Sequence, residues 1–145
     1  MNRRGFSLIE LLIVIVLIGA ISSFAIPMIR RGMEARRVSG ARIAITTMNA
    51  KARALAVQRS RQVRFVVTGN EIRLLSLHPV TGAVTVVEQR NLNTVYGVSV
   101  ASTRDTLYYD PRGIGLQNSS TTMVVARPGG FADTVVITSL GGIQQ

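Results

Sequence analysis

The chain has no cysteine, one histidine and few acids: 7 aspartates and glutamates stand against 17 lysines and arginines. Without cysteine there is neither a disulfide framework nor a thiolate site, which leaves the redox compartment open. The lone imidazole, His78, precedes a proline in LHPVTG, so metal clusters and histidine-dependent triads have almost nothing to be built from. Asp105, Asp110 and Asp133 lack the dense alternation of carboxylates that a calcium loop needs. Gly113-Ile114-Gly115 lacks the third glycine and the following helix of a dinucleotide fingerprint. No catalytic constellation emerges, and no cofactor is implied. The formal charge of +10 favours acidic partners such as nucleic acid, anionic lipid or an acidic protein face, and chooses none of them. At 145 residues there is room for about one domain plus an anchoring segment.

What the chain does have is one long apolar run. Residues 6–29, FSLIELLIVIVLIGAISSFAIPMI, carry Glu10 as their only charged side chain. As a helix they would rise roughly 36 Å, enough to cross a hydrocarbon core of about 30 Å. Arg3 and Arg4 precede the run and should stay on the cytoplasmic side, placing the remainder of the chain outside. A carboxylate in such a segment costs on the order of 3 kcal/mol at a bilayer centre and asks for a partner. A secretory signal peptide is one alternative, since Ser23-Phe24-Ala25 offers small residues at the positions a signal peptidase reads and would give a mature start at Ile26. The run is longer than a usual signal core, and neither a discarded signal nor a plain signal anchor needs Glu10. Snorkelling to the headgroups is a rival account of the acid, which lies only four residues past Phe6. Ser22 and Ser23 are expected to bond to carbonyls one turn earlier. Pro27 marks either a kink or the exit from the membrane.

Residues 30–61 are free of proline and rich in alanine and arginine, both good helix formers. Val38, Ala41, Ile45, Met48, Ala52 and Leu55 recur at alternating spacings of three and four, which predicts one apolar helix face for packing on whatever follows. Gly32 and Gly40 weaken this helix and predict a bend or a melted turn near them. The same stretch is strongly basic, with Glu34 the one acid among its arginines. Arg30 and Arg31 abut the apolar run and suit lipid headgroups; the rest read as a solvated face or a contact with acidic neighbours ahead of a surface for DNA phosphates. No aromatic side chains are interleaved with them, which removes the stacking half of a single-strand binding signature.

From Gln62 the period changes. The runs QVRFVVT, EIRLLSL, AVTVVEQ, VYGVSVA, TLYYD, TTMVVA and TVVITS predict short antiparallel strands over residues 62–145. Gly69-Asn70 predicts a two-residue hairpin loop and Val80-Thr81-Gly82 another turn, as do Gly129-Gly130 and Gly141-Gly142. Tyr108 and Tyr109 should point to opposite faces of one strand. Residues 110–121 read as an exposed loop. The fold class is α+β: a long amino-terminal helix, transmembrane in its first half and amphipathic in its second, packed on an antiparallel β-rich head.

The stretch GFSLIELLIVIVLIGAI resembles the class III leader of type IV pilins and of the pseudopilins of type II secretion. That resemblance implies a prepilin leader of residues 1–5, cleavage by a prepilin peptidase between Gly5 and Phe6, and N-methylation of Phe6. Glu10 then sits fifth in the mature chain, where the family's glutamate is thought to pair with the amino-terminal group of a neighbouring subunit during filament assembly. A carboxylate buried with such a partner is tolerable if the geometry is good. The helix-to-strand junction AVQRSRQVRFVV and the tail YYDPRGIGLQNSSTTMVVARPGG more weakly resemble the pseudopilin H and FimT group. The resemblance implies a single-pass inner-membrane protein with a periplasmic head, built with other pilin subunits into a filament for secretion or pilus function. Relatives linked to DNA uptake carry arginines after a glycine near the carboxyl end; residues 139–145, SLGGIQQ, have none. A DNA-binding minor pilin is therefore the alternative and not the favoured reading.

Overall fold

A computed structural model describes residues 7–78 and 80–144. The chain falls into two compact units, Met1–Glu34 and Ala35–Gln145. Helix α1 (Leu8–Gln58) begins in the first and ends in the second. Gly32 and Gly40 lie inside it, and the helix has no melted turn at either. A glycine costs a helix up to about 1 kcal/mol. At Gly40 the packing explains the residue: an added Cβ would lie 2.9 Å from Cε1 of Tyr96.

The carboxyl-terminal half of α1 buries Val38, Ala41, Ala44, Ile45, Met48, Asn49, Ala52, Leu55 and Ala56. Every residue of the predicted apolar stripe is among them. The helix stops three residues short of the expected boundary. Ser60 adopts a left-handed φ of 48°, the Arg61 N–H donates to the Ala56 carbonyl at 3.1 Å, and the Ser60 N–H donates to that of Val57 at 3.1 Å. This six-to-one and five-to-two pair satisfies carbonyls that a helix end otherwise leaves open, with serine in the place usually held by glycine.

Two four-stranded antiparallel sheets follow. The first has the order β3-β2-β1-β5, from β1 (Val63–Thr68), β2 (Glu71–Leu77), β3 (Val84–Asn91) and β5 (Thr106–Tyr109). The second has the order β4-β6-β7-β8, from β4 (Ser99–Ser102), β6 (Thr121–Ala126), β7 (Ala132–Ile137) and β8 (Ile143–Gln144). The Gly69-Asn70 loop closes the β1–β2 hairpin at the pair Thr68 and Glu71, with Gly69 at φ 57° as a primed turn requires. A bulge in β3 sets Leu74 opposite Glu88 but Leu75 opposite Val86. Alternate residues of both sheets turn inward: Val63, Phe65 and Val67 on β1, Ile72 and Leu74 on β2, Met123 and Val125 on β6, Val135 and Ile137 on β7. Together with the α1 stripe they form the core, each fully buried large aliphatic contributing about 1.5–3 kcal/mol.

Two expectations are corrected. The run VYGVSVA is not one strand: its first residues complete a short helix α2 (Leu92–Tyr96), and only the remainder enters β4. Asn91 caps that helix, its side-chain oxygen accepting from the Thr94 N–H at 3.0 Å, and Gly97 ends it at φ 67°. These local bonds outweigh the strand propensity of Val95 and Tyr96. Residues 110–121 are not simply exposed either. Asp110, Gly113, Gly115, Gln117 and Thr121 are buried and the residues between them are not. The backbone doubles back on β5, with Tyr109 bridged to Gly115 and the Leu116 N–H donating to the Tyr108 carbonyl at 3.0 Å.

Candidate functional site

The first candidate is the start of α1. Gly5 and Phe6, the expected cleavage and methylation positions, lie outside the described residues. Ser7 precedes the first helical residue, and its carbonyl accepts from the N–H groups of Glu10 and Leu11 at 3.1 and 3.2 Å. The Ser7 N–H in turn donates to Oε2 of Glu10 at 3.4 Å. Ser7-Leu-Ile-Glu10 thus reads as S-x-x-E, and Glu10 supplies the returning half of a capping box. That signal was present in the sequence, and it gives Glu10 a helix-starting role beside any pairing role. Glu10 is exposed and meets no cation among the described residues.

From Leu8 onward the helix offers an almost wholly exposed apolar surface: Leu8 is 83% exposed, Phe24 81% and Met28 78%. A water-facing protein does not leave this many consecutive large aliphatics uncovered. The segment is long and apolar enough to cross a membrane. The Ser23 hydroxyl donates to the Gly19 carbonyl at 2.8 Å, as expected of a serine among apolar residues. Pro27 lies inside α1, so it does not end the helix.

The second candidate is the basic face, which the head divides. Arg42 pairs with Asp133 at 3.5 Å, and Lys51 pairs with Glu88. Nε of Arg53 donates to the Gly113 carbonyl at 2.9 Å and Nη1 to that of Gly141 at 3.5 Å. The guanidinium of Arg64 lies over the Tyr108 ring, 5.4 Å from its centre. Arg30, Arg31, Arg36, Arg37 and Arg59 stay exposed. The face is therefore partly consumed in holding the head together.

Beneath it is a buried polar network that the sequence did not reveal. Asn49, on the packed face of α1, donates through Nδ2 to the Gly141 carbonyl at 3.1 Å and accepts at Oδ1 from the Tyr109 hydroxyl. Burial pushes the Tyr109 phenol up to about 12, and the neighbouring Arg53 charge works the other way. Next to it, Asp110 is held below the usual carboxylate range, first by the Ile114 N–H and then by Arg112, with partial burial opposing. Its Oδ1 accepts from the Ile114 and Arg112 N–H groups at 2.8 and 2.9 Å. The Asp110 bonds close the loop on itself, while Arg53 at Gly113 and Asn49 at Gly141 bind the loop and the following turn to the helix. Among the described residues no group of three or more His, Asp or Glu side chains is placed to hold a metal.

Comparison with known proteins gives two findings. Residues 1–26 match the family described as the prokaryotic N-terminal methylation motif. The fold matches two crystal structures of the Pseudomonas aeruginosa (strain PAO1) type IV minor pilin FimU. One, in space group P21, has a TM-score of 0.61 at 13% identity, covering 75% of this chain and 87% of that one. The other, in space group P65, has a TM-score of 0.57 at 14% identity, covering 73% and 90%. No curated protein matches the sequence. The chain thus carries the amino-terminal methylation motif over residues 1–26 and has a fold similar to that of a type IV minor pilin.

Proposed function

We propose that the protein is a minor pilin or pseudopilin, a structural subunit and not an enzyme. A prepilin peptidase cuts between Gly5 and Phe6, Phe6 is N-methylated, and the protein waits in the inner membrane with its head in the periplasm. Assembly then inserts residues 6–29 among the helices of neighbouring subunits in a filament that serves type II secretion or a type IV pilus. The observation that carries this reading is Glu10: one carboxylate in an almost wholly exposed apolar segment, with no cation to meet among the described residues. The cut would create an ammonium on Phe6 of each subunit, and a neighbour's Glu10 is the charge that can meet it.

Mass spectrometry of the membrane-extracted protein, from cells with and without a prepilin peptidase, tests it. The expected result is a mature start at methylated Phe6 that disappears with the peptidase. A start at Ile26, or an uncut Met1 in both strains, overturns it.

The DNA-binding alternative draws on arginines that stay exposed, such as Arg36, Arg37 and Arg59. It requires steeply salt-dependent binding of DNA by the full-length protein, tighter than about 10⁻⁶ M at physiological salt.

A further inference from the structure

None of the roles above uses the outer face of the first sheet. The pairing register places its residues in rows. Tyr108, Arg64, Leu75 and Val86 lie side by side across β5, β1, β2 and β3, and Leu77 and Val84 form the next row. Val84 and Val86 are about half exposed, on an edge strand with no further neighbour in its sheet. Two other sheet edges are protected by the fold itself. Gly115 bridges to β5, and Oδ1 of Asn70 accepts from the Val100 N–H on β4 at 3.0 Å. The β3 edge lacks such a cover among the described residues, and an open apolar edge is what proteins otherwise avoid.

At the end of these rows Leu77 continues into a cavity of about 300 Å³, lined also by Ser60, Arg61, Gln62, His78, Gly82 and Pro111. Its polar lining is rich in donors. Nδ1 of His78 accepts from the Thr81 N–H at 3.4 Å, which leaves Nε2 as the ring's donor. Arg61 and Arg64 meet no carboxylate among the described residues, and Glu71 on the same face is already paired with Arg73. Asp110, beside Pro111, is engaged by Arg112 and two backbone N–H groups.

We infer that this face docks another protein whose contact surface is apolar at its centre and acidic at its rim, an acidic side chain entering the cavity beside Arg61 and His78. Charge complementarity selects the occupant. A second copy of the same face would bring two more arginines and no unpaired carboxylate, since Glu71 is already held by Arg73, so Arg61 and Arg64 would gain no opposite charge. Nucleic acid is a poor fit because the centre of the face is aliphatic and the Tyr108 ring lies under Arg64. An apolar centre with a charged rim is the ordinary anatomy of a protein interface. The inference does not rest on how the amino terminus is processed.

A photoreactive phenylalanine analogue in place of Val86, in the full-length protein and illuminated in the cells that make it, tests this. The expected product is an adduct with one other protein whose crosslinked peptide contains Asp or Glu beside apolar residues. The same probe in place of Leu140, exposed in a turn near the other sheet, should not give it. Arg61→Glu with Arg64→Glu should cut the adduct at least about fivefold per accumulated molecule, because close interfacial charge pairs are worth on the order of 1 kcal/mol or more. Arg61→Lys with Arg64→Lys, which keeps the charges, should retain most of it and so separates charge from folding. An adduct with a second copy or with nucleic acid, one indifferent to charge reversal, or none at all overturns the inference.

Discussion

The Tyr109 hydroxyl donates to Oδ1 of Asn49, joining the carboxyl-terminal half of α1 to the end of β5 where both are buried. Asn49 uses its other end on the Gly141 carbonyl, so one amide fastens the helix to a strand of the first sheet and to the turn before β8. Removing it leaves a buried hydroxyl short of a partner and the Gly141 carbonyl with only the longer bond from Arg53 Nη1 at 3.5 Å. Asn49→Ala should lower stability by about 2–4 kcal/mol, and Tyr109→Phe, which removes the donor but keeps the ring, by about 1–2 kcal/mol. Because the two residues share one bond, the double variant should lose less than the sum. Denaturation midpoints of the full-length protein in detergent measure all three.

The same tyrosine gives the head an alkaline limit. Its folded pKa, about 12, lies above the ordinary 10.0, so between those values the unfolded chain releases a proton that the folded one keeps. Stability from this group is complete below about pH 10 and is lost as pH rises towards 12, by about 3 kcal/mol in all. Asp110 sets the opposite limb. Its folded pKa lies below the ordinary 3.8, so its contribution is present above that value and fades as pH falls through the lower one. Melting across both ranges should show the alkaline loss diminished in Tyr109→Phe and the acid loss diminished in Asp110→Asn.

Two small residues make opposite demands on the backbone. Ser60 holds a left-handed φ of 48° at the helix end, so Ser60→Gly should stabilise the head by about 0.5–1 kcal/mol. At Gly115 an added Cβ would lie 2.4 Å from the Ser139 carbonyl oxygen and 2.9 Å from the Gly141 nitrogen, both backbone atoms that cannot rotate away. Gly115→Ala should therefore destabilise by about 1–3 kcal/mol. Thermal melts of the two variants should move in opposite directions.

How much of this was legible follows from the range of the interactions. The α1 stripe and the paired strands declare themselves through period, because apolar residues repeated every three or four positions, or every second one, need a face to bury. Helix α2 was legible in principle: Asn91 and Gly97 bracket five residues with ordinary capping chemistry, but Val95 and Tyr96 carried strand propensity. The Asn49 network was not legible. An asparagine beside Met48 could as well have faced solvent, and only the fold brings Tyr109 and Gly141 to it. For the same reason residues 110–121 read as a loop: their glycines signal turns, whereas the burial of Gly113 and Gly115 depends on α1 and the Gly141 turn arriving beside them.

Glu10 has two possible duties, and one substitution separates them. Its carboxylate completes the capping box with Ser7, a task that a glutamine side chain performs as well. Pairing with a neighbour's amino-terminal ammonium needs the negative charge, which glutamine lacks. Glu10→Gln should therefore keep α1 intact from Leu8 and leave the protein processed and membrane-bound, yet fail to enter filaments, as Glu10→Ala also should. Sheared-filament fractions probed for the protein, beside the amino-terminal mass of the membrane-held pool, give both readings. If Glu10→Gln assembles like the unaltered chain while Glu10→Ala does not, capping is the duty that matters, and the intersubunit charge pair must be given up.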